Sequence, residues 1–165
     1  MLRKLLNAIG AVVLIVLLAL VLPLTVPKLA GFQLYEIQTG SMEPALPVHS
    51  VIYVRSCQPD EVQVGDIITF QTESASDRVM THRVAAIDDQ AQTFTTKGDA
   101  NDAVDQTPVP FSNLTGKVVF HIPALGSVAA FLQSGEGIAA CVCVFAAVLI
   151  LWIIADRLKV KERVP

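Results

Sequence analysis

The sequence predicts a mainly β fold: a compact, β-rich domain, facing away from the cytoplasm, between two transmembrane helices. Three observations carry this expectation. Two long stretches hold no charge, Leu5 to Pro27 and Gly137 to Ala155. Between them the apolar residues fall in short alternating or β-branched runs bounded by Gly, Asp and Pro, the pattern of strands rather than of long helices. Basic residues gather at the two chain ends. At 165 residues and 53% hydrophobic, with a mean hydropathy of +0.56, the chain is too apolar for an ordinary water-soluble domain.

The elements follow in order. Residues 1–4 form a short cytoplasmic start, and residues 5–27 are long enough at 1.5 Å per residue to cross a hydrocarbon core of about 30 Å. A secretory leader also begins with basic residues, here Arg3 and Lys4, followed by an apolar core. This apolar run is longer than a leader core, however, and Lys28 sits two positions before Ala30, where a leader needs a small residue. The segment therefore reads as an uncleaved anchor. Residues 137–155 give the second span, with Trp152 near its end and basic residues directly after it, as interfacial anchors are placed. Residues 156–165 form a basic cytoplasmic tail.

Charge fixes the expected orientation. The two short ends carry six of the twelve basic residues against only Asp156 and Glu162, so both termini are expected in the cytoplasm. Residues 28–136 carry six basic and thirteen acidic residues, a formal −7. Such a surface repels phosphate backbones, which argues against nucleic acid as a partner.

Within residues 28–136 the expected strands are Ser50–Arg55, Asp66–Gln71, Val79–Ile87, Thr93–Lys97 and Gly116–Ile122. Gly65-Asp66 and Gly98-Asp99 read as turns. Helical periodicity appears over Ala124 to Gln133, after Pro123, leading into the second span. Cys57 is alone in this domain, and Cys141 and Cys143 fall inside the second span on different helix faces, so no internal disulfide is expected. His49, His82 and His121 show no metal-ligand spacing. The chemistry of the chain thus calls for no metal and no cofactor.

Ser41, in Thr39-Gly40-Ser41-Met42-Glu43-Pro44, is the candidate nucleophile. A serine hydroxyl is inert at neutral pH unless a neighbouring base takes its proton. His82, in Thr81-His82-Arg83-Val84, is the candidate base, since an imidazole accepts and returns a proton near neutral pH. A carboxylate that orients this imidazole could come from Asp99 or Asp105, both in the acidic segment Lys97 to Asp105.

Five ordered stretches resemble type I signal peptidases: Thr39–Pro44, Val64–Phe70, Thr81–Val84, Thr96–Asn101, and Gly116–Phe120 with Ile122–Gly126. The likeness is to the endoplasmic-reticulum type, also found in archaea and some Gram-positive bacteria, in which histidine replaces the lysine base. It implies a serine peptidase that removes signal peptides from secreted preproteins after small residues. In it Ser41 would be the nucleophile, His82 the base, Asp105 the triad partner, Asp99 a supporting carboxylate and Thr39 an oxyanion donor. It also implies signal peptides, the lipid bilayer and secretion-machinery subunits as partners, in a bacterial or archaeal cell membrane rather than the endoplasmic reticulum. Two positions depart from the pattern: His49-Ser50 stands where relatives carry Gly-Asp, and Ala100-Asn101 where they carry Asn-Asn. Three other readings stay open: a Ser-Lys peptidase using Lys97 or Lys117, a non-catalytic membrane subunit that binds secreted or envelope proteins, and a peptidase with a few dedicated substrates.

Overall fold

Short runs of Val, Ile, Phe and Thr dominate the middle of the chain, and in the computed structural model, which describes residues 2–72 and 79–161, they form one antiparallel sheet. The elements are α1 (Leu2–Leu29), β1 (Phe32–Glu36), β2 (Val51–Arg55), β3 (Ile67–Gln71), β4 (Val79–Asp88), β5 (Thr93–Lys97), β6 (Val109–Pro110), β7 (Leu114–Ile122), α2 (Leu125–Gln133) and α3 (Gly135–Lys161). The strand order is β1-β2-β7-β3-β4-β5-β6. One apolar helix therefore precedes the sheet in sequence and two helices follow it.

All five expected strands form, within two residues at each end. Two more were not expected. β1 is Phe-Gln-Leu-Tyr-Glu, released from α1 by Gly31 at φ +85°, and it pairs only with β2. β6 is two residues long and pairs only with β5. The helix expected over 124–133 starts at Leu125, because Ala124 takes φ +58°, outside the helical region.

Two compact units are distinguished by their internal contacts: residues 27–127, and residues 1–26 together with 128–165. The second holds nearly all of two helices long and apolar enough to cross a membrane, Lys4–Leu29, whose last three residues fall in the first unit, and Gly135–Arg157, which fits a membrane protein. In that unit Gly10 of α1 lies against the indole of Trp152 on α3, where any side chain at position 10 would collide with it. The last residues of the basic tail, 162–165, lie outside the described residues.

The sheet unit has two apolar clusters. Val62, Ile68, Phe70, Val84, Phe94 and Val109 form one, and Ile37, Met42, Leu46, Ile52 and Val54 the other. Successive strand residues point to opposite faces, so β3 feeds both: Ile68 and Phe70 enter the first cluster while Ile67 packs on the second. Phe94 is fully buried, with its ring centroid 4.4 Å from that of Phe111. Alternation along β4 buries His82 and Val84 on one face. An irregularity between Val84 and Ala86 then adds a residue, after which Ile87 packs against the first cluster. Gly116 in β7 is pressed against the Arg55 carbonyl, where a Cβ would overlap it.

An ion pair ties β7 to the chain entering β3. Lys117 Nζ lies 2.9 Å from Asp66 Oδ2, which also accepts the Gln63 backbone N–H at 2.9 Å. Burial pushes the Asp66 carboxyl up, but the Lys117 hydrogen bond, the Gln63 N–H and the Lys117 charge together outweigh it and hold the group below its ordinary value.

Two outcomes are expected. Phe94→Ala, which empties a fully buried ring position, lowers the unfolding free energy by about 3–5 kcal/mol in urea titrations followed by circular dichroism. Because the folded-state value of Asp66 is depressed, its stabilisation is present above the ordinary carboxylate range and is lost as pH falls through the folded value. Lys117→Met therefore flattens the acid limb of a stability-against-pH curve; an unchanged limb would show that the pair contributes nothing.

Candidate active site

Ser41 stands in a single 3-10 turn, Gly40–Met42, entered from the extended residue Thr39. The turn is pinned from both sides. Next to the serine, Met42 is 1% exposed within the second apolar cluster, and its carbonyl accepts the Leu46 N–H at 2.8 Å. From across the molecule, the Ala100 N–H donates to the Ser41 carbonyl at 2.9 Å. Gly98 explains how the chain comes so near: a Cβ there would stand 2.6 Å from the Ser41 carbonyl oxygen and 2.7 Å from Asn101 Nδ2. Any larger residue would push the serine turn and the 98–101 turn apart. The peptide bond between Glu43 and Pro44 is cis.

His82 projects from β4 on the same face as Val84. It is 5% exposed, and its ring meets Phe70 edge-on at a centroid distance of 6.5 Å. Both ring nitrogens are engaged. Nε2 lies 3.3 Å from Ser41 Oγ, and Nδ1 lies 2.6 Å from Asp105 Oδ2. An ionised carboxylate only accepts, so the Nδ1 proton belongs on the Asp105 side. In the neutral ring this leaves the Nε2 lone pair directed at the serine hydroxyl.

The two candidate aspartates separate cleanly. Asp105 faces His82 and also accepts the Thr96 hydroxyl at 2.6 Å. Asp99 turns instead to Arg83, which grips it with two parallel bonds, Nε to Oδ1 at 2.8 Å and Nη2 to Oδ2 at 2.6 Å, while Nη1 donates to the Gly65 carbonyl at 2.8 Å. The Asp99 hydrogen bond raises the Arg83 guanidinium above its ordinary value against the opposing effect of burial. Asp99 thus braces the 98–101 turn, next to the Ser41 carbonyl, against the strand that carries His82. It does not reach the imidazole.

Thr39 Oγ1 lies 3.4 Å from Ser41 Oγ, so the two hydroxyls face each other. Lys117 is occupied by Asp66 and by the Glu61 carbonyl at 3.4 Å. His49 sits at φ +65° with Nδ1 2.9 Å from Glu36 Oε1, on the domain surface.

Neither Thr96 nor Arg83 stands out in the sequence as part of a site. Arg83 sits beside a candidate base and its reach was legible only as a strand arginine. Thr96 looked like one of many strand threonines, and the one available signal was a polar residue two positions from Phe94, on the face that alternation turns inward.

The family described as signal peptidase, peptidase S26, matches residues 5–99. The chain is also similar to Signal peptidase I W of Bacillus subtilis (strain 168), with 36% identity over 101 residues, 59% of this chain and 52% of that protein. The chain thus spans about half the length of this curated relative. With the match running over more than half of its residues, and with Ser41 and His82 inside it, the chain belongs to the signal peptidase family, peptidase S26.

Proposed function

We propose that this chain is a membrane-anchored serine endopeptidase that removes N-terminal signal peptides from secreted preproteins after small residues. One observation carries the reading: His82 has a hydroxyl, Ser41 Oγ, at one nitrogen and a carboxylate, Asp105, at the other. A surface serine and a packed histidine have no structural need for that alignment. It is the arrangement that lets a serine surrender its proton as it attacks.

In the proposed reaction Ser41 Oγ attacks the scissile carbonyl while its proton passes to His82 Nε2. The imidazolium is steadied by Asp105 at Nδ1. The tetrahedral oxyanion is met by the Ser41 backbone N–H and the Thr39 hydroxyl. As the intermediate collapses, His82 returns the proton to the leaving amine, which departs as the new N-terminus of the mature protein. Water, deprotonated by the same histidine, then releases the signal peptide from the acyl-enzyme. Asp99 acts at a distance, through Arg83 and the 98–101 turn.

The same proposal assigns residues 5–27 and 137–155 to the bilayer, residues 28–136 to the outer side of a bacterial or archaeal cell membrane, and residues 1–4 and 156–165 to the cytoplasm. Signal peptides put an apolar segment in the bilayer with the cleavage site just outside it. Ser41 follows α1 by twelve residues of chain, a short tether to that interface. Extended preprotein would add to a sheet edge, small side chains seated in shallow pockets. Secretion-machinery subunits are further partners under this reading.

The Ser-Lys alternative is disfavoured by the occupant of the site, because the nitrogen at Ser41 Oγ belongs to His82 and Lys117 is bound to Asp66. Lys97→Met is therefore expected to cleave normally.

Cleavage of a labelled preprotein by purified protein in liposomes tests the reading. Ser41→Ala and His82→Ala, with folding verified by circular dichroism, are expected to lower kcat by about 10⁴-fold or more, and Asp105→Asn by about 10⁴-fold by favouring the wrong histidine tautomer. Ser41→Ala cutting at the wild-type rate would sink the proposal. Thr39→Val is expected to lower kcat by about 10²-fold with KM little changed, the signature of a donor used only in the transition state.

A further inference from the structure

Asp105 belongs to no helix or strand, on a segment between β5 and β6 with few regular partners. A carboxylate there has a broad, two-fold χ2 torsion and no intrinsic reason to keep one oxygen aimed at an imidazole. In this molecule it is held at two points by a single residue. The Asp105 backbone N–H donates to the Thr96 carbonyl at 2.8 Å, and the Thr96 hydroxyl donates to Asp105 Oδ2 at 2.6 Å. The oxygen that accepts the hydroxyl is the same one that faces His82 Nδ1.

Thr96 is an unusual choice for its place. It is fully buried on the inner face of β5, two residues beyond the fully buried Phe94 and opposite the buried Val84. Valine has nearly the same shape and suits an inner strand position better, because it buries no hydroxyl. A buried hydroxyl at such a site is costly unless it finds an acceptor, and the acceptor here is the carboxylate that orients the candidate base. We propose that Thr96 is a positioning residue: its hydroxyl fixes the Asp105 carboxylate so that Oδ2 meets His82 Nδ1, which in turn keeps Nε2 on Ser41. Thr96 touches neither substrate nor nucleophile and acts only through Asp105. This inference rests on the peptidase reading and names a part of that site.

The test separates the hydroxyl from the shape. Full-length wild type, Thr96→Val, Thr96→Ser and Ser41→Ala are compared in liposomes on a labelled preprotein, with kcat and KM measured separately and thermal unfolding followed by circular dichroism. Thr96→Val keeps the shape and loses the donor. Its kcat is expected to fall by about tenfold or more, as for loss of a hydrogen bond to a charged group, with KM within about twofold. Thr96→Ser keeps the donor and loses the methyl, and is expected to return kcat to within about threefold of wild type even where its melting temperature is the lower of the two. Thr96→Val at the wild-type kcat, or Thr96→Ser as slow as Thr96→Val, overturns the inference while Ser41→Ala remains dead. Ser41→Ala at the wild-type rate overturns the peptidase reading and this inference with it. Should Thr96→Val show no folded transition, Thr96→Ser against Thr96→Ala reads the same contrast: only the serine retaining kcat supports the role, and equal kcat in both overturns it.

Discussion

The imidazole of His82 is reached by two residues that precede and follow it by 41 and 23 positions, Ser41 at Nε2 and Asp105 at Nδ1. Neither comes from a strand. An angular error of a few tens of degrees in the ring would break both contacts, so the ring must be fixed by something other than its partners. β4 supplies that: it is the longest strand, it has β3 on one side and β5 on the other, and its alternation buries the ring against Phe70. Much of the sheet can be understood as a support for one side-chain orientation, since sites built on strands hold their geometry better than sites built on loops.

The loops on either side are then fastened to that support and to each other. Met42 plugs the serine turn into an apolar cluster, and the 98–101 turn closes on the serine's own carbonyl, with Gly98 permitting the approach. Arg83, next along the chain from His82, clamps Asp99 in the same turn. The result is a short circuit of contacts from His82 to Arg83 to Asp99 to the 98–101 turn to Ser41 and back. Relaxing any one link loosens Ser41 and His82 relative to each other, so residues that touch neither the hydroxyl nor the imidazole still hold the proposed geometry.

Much of this was legible in the sequence, for identifiable reasons. β2 to β5 and β7 announce themselves because β-branched and aromatic residues alternate between clear turn residues. β1 did not, because Leu34 and Tyr35 are adjacent apolar residues that break the alternation, and it is an edge strand with a single neighbour. β6 contains proline and only two residues, too short for any pattern. Ser41 and His82 stood out by motif, but Asp99 and Asp105 could not be told apart by residue type, as both are acids in one polar segment. The family resemblance pointed to Asp105 as the partner of His82, and the contacts differ accordingly: Asp99 finds a guanidinium and Asp105 an imidazole. The two charge-free stretches gave the apolar helices directly, and α1 and α3 extend beyond them at both ends.

The extra residue between Val84 and Ala86 gives the β4–β5 hairpin a reading frame. On the His82 side of it, position 84 stands opposite Thr96; on the far side the pairing has shifted by one, and Ile87 stands opposite Phe94. Inserting or deleting a residue in the turn around Asp89–Gln92 changes only a loop. The same change inside β5, between Phe94 and Thr96, would turn one of these two buried residues to the opposite face, because side chains alternate along a strand. Length variation among natural or engineered versions of this chain should therefore cluster at the hairpin tip and stop abruptly at the bulge, as a frame is respected in a coding message.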